Sequence, residues 1–372
     1  MADIPATMRR IVSEAKSNGT LEVRIEEVPT PKPEAGQVLV KIEAAPINPS
    51  DLALLLSMTD ASQAKSVDAT TTSLPIPDFA MRMLQGRMDE AMPVGNEGSG
   101  TVVAAGDAAG EGLVGKLVAA AGGDMFAEYR CVPVAMCMPM PEGVSARDAA
   151  SSFVNPMTAL SMTKVMKRDG SPALVHTAAA SNLGQMLQRI CKADGIPLIN
   201  IVRKPEQRAI LKDLGADYAL NSEDGNFMAD LVEACAETGA IIGFDAVGGG
   251  DLSGRIITAM EAAQSRKLTE YSRYGTSVHK QMYVYGRLDL GEVRVPPSVG
   301  MAWGVGGFLL TNFLATISPE ERMGMAMRIA TEIKTTFASD YTGEISLDDV
   351  LKPDVMAKYN AKATGTKYLI KP

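Results

Sequence analysis

The chain has 372 residues, 46% of them hydrophobic and 22% charged, which is enough for two packed domains and excludes a disordered segment. A formal net charge of −8 without a basic stripe excludes nucleic acid as the main partner, although a small anionic cofactor needs only a few local cations. Cys131, Cys137, Cys191 and Cys235 show neither CxxC nor Cys/His spacing, which disfavours a disulfide framework or a cysteine-based zinc site, and with His176 and His279 the two histidines, an imidazole cluster is excluded.

The cysteines read instead as small buried residues in a reducing compartment, and the 23 methionines as core filler. The N-terminus shows no basic start followed by an apolar run and a cleavage site, so a cytoplasmic protein is expected.

In chain order, residues 21–29 and 37–45 read as strands, the second as VLVKIEA with charges alternating against apolar residues, and the Pro-rich PTPKPEAG between them reads as a turn. Segments 94–106 and 113–121 add Gly-bounded strands. Residues 58–91, polar at first and then helix-like, read as an insertion over the surface.

At Asn155 the pattern changes. A helix over 158–167 precedes the strand ALVHTA, a helix over 183–194, the strand LINIVR and a helix over 205–214. The short strand DYALN, a helix over 226–238 and the strand AIIGFDAVG follow. Strands alternating with helices of this length imply a parallel, doubly wound sheet. Segment 252–280 reads as a surface flap or as part of a binding-site mouth. From 295 to 319 no residue is charged, and 301–317 is largely apolar. Glycines interrupt that run, which favours a buried strand and helix at an interface, with a membrane anchor as the minor alternative. SLDDV and the closing TGTKYLIKP read as a small helix and a last strand.

ALVHTAAASNLGQML is a strand, a turn of small residues and a helix start, an arrangement whose backbone N–H groups can hold a pyrophosphate. The Gly fingerprint is eroded: Ala179 and Ser181 fill the first two Gly positions and Gly184 the last. About 20 residues on, where an acid would accept a bond from a ribose hydroxyl, the chain has Arg203 and Lys204. Cations there suit a 2′-phosphate, so NADPH is the expected cofactor.

NPSD at 48–51, PVGNEGSGTV at 93–102, VNPMTAL at 154–160, the turn above and TGTKYLIKP together resemble the medium-chain dehydrogenase/reductase superfamily over nearly the whole chain. The resemblance implies a GroES-like β-rich catalytic domain, in two parts at 1–156 and 312–372, and a Rossmann domain at 157–311. In zinc-dependent relatives the metal ligands sit at the positions of Asn48, Asn96 and Asn155. Neutral amides are poor zinc ligands, so no metal is expected.

The zinc-free quinone oxidoreductases and 2-enoyl thioester reductases resemble the chain most closely. That likeness implies that Asn155, Thr158, Ala180, Ser181, Asn182, Leu183, Gly184, Arg203, Lys204, Tyr285, Gly286, Arg287, Leu288, Phe308, Leu309, Leu310 and Lys367 line the NADPH site. The chain departs from the thioester reductases at one point. They carry a Tyr shortly after NPSD as the proton donor, and residues 52–92 here contain neither Tyr nor His.

Without a Lewis acid, charge developing on a substrate oxygen must be met by hydrogen-bond donors. The catalytic candidates are Asn48, Ser50 and Asn96, with Tyr274 as proton donor, while Asp51 orients its neighbours. The expected function is NADPH-dependent hydride transfer to a quinone or to the double bond of an α,β-unsaturated carbonyl. The alternatives are a 2-enoyl thioester reductase and a nucleotide-binding relative without turnover. Relatives pair through the segment matching GMAWGVGGFLL, so a homodimer acting on a small electrophilic substrate is expected.

Overall fold

The computed structural model describes residues 4–361 and 364–372. Contacts divide the chain into two units, Met1–Val154 with Ala326–Pro372, and Asn155–Met325.

The first unit is β-rich. Its strand Thr7–Ala15 pairs antiparallel with Thr20–Pro29 along its whole length. This first strand escapes sequence reading because Arg9, Arg10 and Glu14 break its apolar alternation. The partner strand supplies the counter-charges, Glu26 to Arg10 at 3.2 Å and Arg24 to Glu14 at 2.6 Å. Residues 58–91 do not lie over the surface as expected. Thr71–Pro75 extends the same sheet against residues 20–24, and Ala91–Pro93 pairs with residues 12–14. Leu74, Ile76, Ala80 and Leu84 from this segment are buried in the core, which the polar start of the segment conceals.

The second sheet of this unit runs Cys137–Pro139, Leu117–Ala121, Glu97–Ala105, Gln37–Pro46, Tyr368–Ile370, Gly343–Ile345. Three of these strands position the site. Gln37–Pro46 delivers Asn48, its neighbour begins at Glu97, and the terminal strand sets Leu369 against Pro46. Ile47 N–H donates to the carbonyl of Tyr368 at 3.0 Å, which brings Lys367 beside the same corner. The strands come so close that a Cβ on Gly100 would lie 1.9 Å from the carbonyl oxygen of Lys41, so only glycine fits.

The second unit carries the expected doubly wound sheet. Its six strands run Tyr218–Asn221, Leu198–Val202, Leu174–His176, Ile242–Asp245, Lys280–Val284, Trp303–Gly307, and all are parallel. In chain order this is 3-2-1-4-5-6, and the order reverses between Leu174–His176 and Ile242–Asp245, where such sheets bind their ligands. The apolar stretches LINIV and IGFD are fully buried, as strands covered on both faces must be.

The segment from 252 is not a flap in its first half. Leu252–Ser265 is a helix that buries Ile256, Ile257, Ala259, Met260 and Ala263 against the sheet. Its C-terminal side is fixed by the buried ion pair Glu261–Lys280, to which Thr276 adds a hydrogen bond at 2.9 Å. The uncharged run resolves into the edge strand Trp303–Gly307 and the seven-residue helix Leu310–Thr316. Among the described residues, no helix is long and apolar enough to cross a membrane.

Candidate functional site

Two groups of residues carry chemistry, one in each unit. In the second unit, the strand Leu174–His176 ends at the switch point and the chain turns into the helix Asn182–Asp194. Ser181 caps this helix, its hydroxyl accepting the Gly184 N–H at 3.2 Å. A Cβ on Gly184 would lie 2.1 Å from the carbonyl oxygen of Ala179, so this surviving Gly of the fingerprint lets the helix close on the turn. Ala178 holds a left-handed φ of 48°, a conformation that costs an alanine roughly 1 kcal/mol and that concentrates at ligand-binding turns. Ala180 and Leu183 are buried, while Ser181 and Asn182 are half-buried at the rim.

The next strand ends at Val202. Arg203 and Lys204 follow it, both exposed and without an ion-pair partner among the described residues. The Arg203 backbone is tied by its N–H to Gln207 Oε1 at 3.0 Å, leaving the guanidinium free to project. A helix N-terminus, a turn of small residues and two unpaired cations beyond the adjacent strand fit an anionic dinucleotide.

Below the turn, His176 shares a hydrogen bond with the Tyr285 hydroxyl at 2.7 Å and stacks on its ring. Complete burial pushes the imidazole down to about 3, and desolvation raises the half-buried phenol above its ordinary value. Thr177 donates to Asp245 Oδ1 at 2.7 Å, and Ser253 donates to the other oxygen at the same distance. This bridges the two strands at the switch point.

Gly286 presses on Ala246, its absent Cβ only 2.5 Å from that residue's carbonyl oxygen. Arg287 and Leu288 emerge exposed beside it. Asn155 and Thr158 are buried in the first turns of Val154–Arg168. Phe308 packs edge-on against Phe244 and Tyr283, while Leu309 is exposed and Leu310 half-buried. Tyr274 is 57% exposed, and its ring lies 4.6 Å from the Arg273 guanidinium carbon.

The first unit builds its group around NPSD and NEG. Asp51 sits in the first turn of the helix Pro49–Leu55. Its carboxylate accepts the Asn48 N–H and the Asn96 N–H, both at 2.8 Å, tying the two motifs together. Glu97 accepts from Asn48 Nδ2 at 2.8 Å, from Phe153 N–H at 2.7 Å and from Val154 N–H at 2.9 Å. Above them, Asn96 Nδ2 donates to Ser50 Oγ at 3.0 Å, and both of these side chains are exposed.

Lys367 is 8% exposed, its Nζ has no hydrogen-bond partner among the described residues, and it lies 5.7 Å from the centroid of the Tyr341 ring. Burial pushes Asp51 up to about 7 against its two N–H donors. It raises Glu97 as well, and it lowers Lys367 to about 8 against the attraction of both carboxylates.

The structure thus brings Asn48, Ser50 and Asn96 into one network and places Tyr274 in the other unit. Sequence reading missed the buried Glu97 and the burial of Lys367. Glu97 stands next to Asn96 in the NEG motif, but nothing in one sequence signals that an acid is buried. Asn48 differs from a simple donor: a carboxylate can only accept, so its amide must face Glu97 through nitrogen. Its Oδ1 is left buried without a partner. A zinc ion does not fit this donor set of amides and a neighbouring ammonium, and among the described residues no group of three or more His, Cys, Asp or Glu side chains could hold a metal.

One β-rich unit with a polar network at one corner and a second unit with a 3-2-1-4-5-6 parallel sheet together make up a dehydrogenase-type chain. A family model described as the alcohol dehydrogenase GroES-like domain matches residues 34–142, and one described as a zinc-binding dehydrogenase matches residues 183–263. The chain belongs to the medium-chain dehydrogenase/reductase superfamily.

A solved structure from Mesorhizobium loti, assigned as an NADPH:quinone reductase, superposes with a TM-score of 0.75 at 26% identity over 100% of both chains. The mitochondrial enoyl-[acyl-carrier-protein] reductase of Rattus norvegicus is 27% identical over 237 residues, 59% of this chain and 54% of that protein. A Leishmania amazonensis protein named as a quinone oxidoreductase is 30% identical over 233 residues, 60% of this chain and 57% of its own. The matched stretch therefore spans little more than half the length of these two curated relatives.

Proposed function

We propose that this protein is an NADPH-dependent oxidoreductase that reduces a quinone or the activated double bond of a small enone without zinc. The observation that carries this reading is the exposed Ser50–Asn96 pair standing on a buried, hydrogen-bonded frame. Asn96 spends one amide hydrogen on Ser50 Oγ, which leaves the Ser50 O–H and the second Asn96 N–H as donors for charge developing on a substrate oxygen. Asn48 supports this pair from below, because its amide nitrogen is held by Glu97. Bound NADPH would supply the hydride.

Arg203 and Lys204 hold the 2′-phosphate, and the 180–184 turn takes the pyrophosphate at the helix N-terminus. Asn155, Thr158, residues 285–288 and residues 308–310 are the remaining cofactor contacts of the second unit. A quinone takes the hydride on one side and a proton from solvent on the other, giving the hydroquinone and NADP⁺. No dedicated proton donor is required, in keeping with the lack of Tyr and His over residues 52–92. Tyr274 stays a candidate donor, its hydroxyl engaged by Arg273.

We place the protein in the cytoplasm as a homodimer joined through the edge strand Trp303–Gly307. Met301, Trp303 and Leu309 leave apolar surface around that unpaired edge.

The test is NADPH oxidation with a small quinone, a small enone and a medium-chain enoyl thioester, in the presence of a zinc chelator. The quinone or enone is expected to give the highest kcat/KM with no loss on chelation. A thioester ahead by more than about tenfold, roughly 1.4 kcal/mol, moves the protein to the enoyl reductases. Loss of activity on chelation with recovery on zinc contradicts the metal-free reading, and the absence of turnover with every acceptor makes it a nucleotide-binding relative.

A further inference from the structure

Residues 58–91 reach the helix that carries NPSD from its far end. Ala91–Pro93 pairs with residues 12–14, and the Asp89 N–H donates to the Ala15 carbonyl at 2.7 Å, which sets Arg87 beside the strand Thr7–Ala15. The Asp89 carboxylate adds a second tie by accepting the Ser17 N–H at 2.9 Å. The Arg87 side chain then spans two elements. Its Nη2 donates to the Ser13 carbonyl at 3.2 Å and to Ser13 Oγ at 3.1 Å. Its Nη1 donates to the Leu54 carbonyl at 3.2 Å, in the last turn of Pro49–Leu55. These acceptors are all neutral, and a cation among the last carbonyls of a helix is favoured by the helix dipole.

The hydrogen atoms at this end follow from the donors and acceptors present. A carbonyl oxygen has two lone pairs. Those of Leu54 are taken by Arg87 Nη1 and by the Ser57 hydroxyl, which donates at 2.9 Å. The Ser13 hydroxyl accepts from Arg87 and so gives its own hydrogen to the Leu55 carbonyl at 3.1 Å. Ser13 and Ser57 are fully buried, which makes each of these bonds matter. Arg87 thus sets the direction of the Ser13 hydroxyl, and the two together hold the last two carbonyls of the helix. Beyond them Ser57 and Met58 keep left-handed φ values of 47° and 66°. Two such residues in a row persist where their surroundings dictate them, and they concentrate at functional sites.

We propose that Arg87 is a positioning residue whose guanidinium fixes the tilt of the helix Pro49–Leu55, and with it the placement of Ser50 against Asn96. It acts through the helix and not on the substrate or the cofactor. This rests on the reading of Ser50 and Asn96 as the donors. The helix has seven residues, about two turns, so a shift at its last turn reaches its first. There the Asp51 carboxylate holds the Asn96 N–H, and Ser50 Oγ accepts from Asn96 Nδ2. A helix that tilts therefore disturbs both bonds of the donor pair. The segment 58–91 gains a role beyond filling the core, because it supplies the support on which the site's helix rests.

The test uses Arg87→Met, Arg87→Lys and Ser13→Ala in the full chain, with two readouts. The first is amide hydrogen exchange without cofactor, which needs no turnover. It follows Leu56, whose N–H bonds to the Leu52 carbonyl, and Asn96, whose N–H bonds to Asp51. Arg87→Met is expected to speed exchange at both by at least about tenfold, Ser13→Ala by at least about threefold, and Arg87→Lys to stay near wild type. The second readout is a double-mutant cycle in steady-state kinetics with a small quinone, beside NADPH binding by calorimetry. Arg87→Met is expected to lower kcat by at least about tenfold when Ser50 is present, but by less than about threefold in a Ser50→Ala background, with NADPH Kd within about twofold of wild type. A variant that only loosens the fold costs the same in both backgrounds.

Exchange in Arg87→Met that rises at Leu56 while Asn96 stays as in wild type overturns the proposal, because the support then ends within the helix. Unchanged exchange at both amides overturns it too, as do equal losses of kcat with and without Ser50. Should Arg87→Met fail to fold, unchanged exchange at Leu56 and Asn96 in Ser13→Ala counts against it equally. A wild type that turns over no acceptor sinks the proposed function alone, and exchange at Asn96 still decides this inference.

Discussion

The turn before Asn182–Asp194 and the network under Ser50 and Asn96 are built in opposite ways. The turn is assembled from consecutive residues: a left-handed Ala178, the capping Ser181 and a Gly184 that no larger residue could replace. The network joins residues from three separate stretches, around 48–51, 96–97 and 153–154, and the two carboxyl groups that hold it together, Asp51 and Glu97, are buried. A backbone-built site presents fixed N–H groups and needs little support. A site built from side chains needs a frame, and here the frame is polar and enclosed. Substitutions should therefore act locally at the turn and spread through the network.

The two regions also oppose each other in pH, which gives the largest expected effect. His176 is held neutral, its folded value about 3 lying below the ordinary 6.5, so its stabilisation is complete above pH 6.5 and is lost as pH falls toward 3. Asp51 has the opposite sign. Raised from 3.8 to about 7, it favours the fold most below pH 4 and loses that contribution as pH rises to 7. Urea denaturation of wild type and His176→Gln at pH 6.5 and pH 4 isolates the first term. The wild type should lose roughly 3 kcal/mol more than the variant between these values. Equal losses would mean that the ring is not held neutral, and the contrast between the regions would vanish.

A somewhat smaller effect sharpens the claim that the turn is backbone-built. Gly184→Ala puts a Cβ against the Ala179 carbonyl and should destabilise the protein by about 1–3 kcal/mol while weakening nucleotide binding. Thermal unfolding and calorimetry would check both. A variant with wild-type stability and binding would show that the helix does not need to approach the turn so closely.

The same contrast explains what was legible in the sequence. The alternating strands and helices from Asn155 onward could be read because each rests on a local pattern, and the doubly wound sheet followed from them. The strand Thr7–Ala15 was hidden by charges whose partners lie on the next strand. The helix Leu252–Ser265, within a segment whose sequence reads as a flap or as part of a binding-site mouth, is concealed because its apolar face is interrupted by the buried polar residues Glu261 and Gln264, and Glu261 finds its partner, Lys280, 19 residues later. Asn48, Ser50 and Asn96 could be named from their motifs, but that Asn48 faces Glu97 through its nitrogen could not. That orientation depends on a hydrogen bond across 49 residues. The placement of Lys367 follows from the terminal strand pairing at residue 46, a long-range fact that no local spacing carries.

The central claim, that the second unit holds NADPH through the cations following the strand Leu198–Val202, is tested most directly by calorimetric titration of NADPH and NADH into the same protein. Charge-assisted bonds to a phosphate contribute about 1.5–3 kcal/mol each, so NADPH should bind at least about tenfold more tightly, and Arg203→Ala should remove most of that difference. Equal affinities for the two nucleotides, or a preference that survives Arg203→Ala unchanged, would contradict the account.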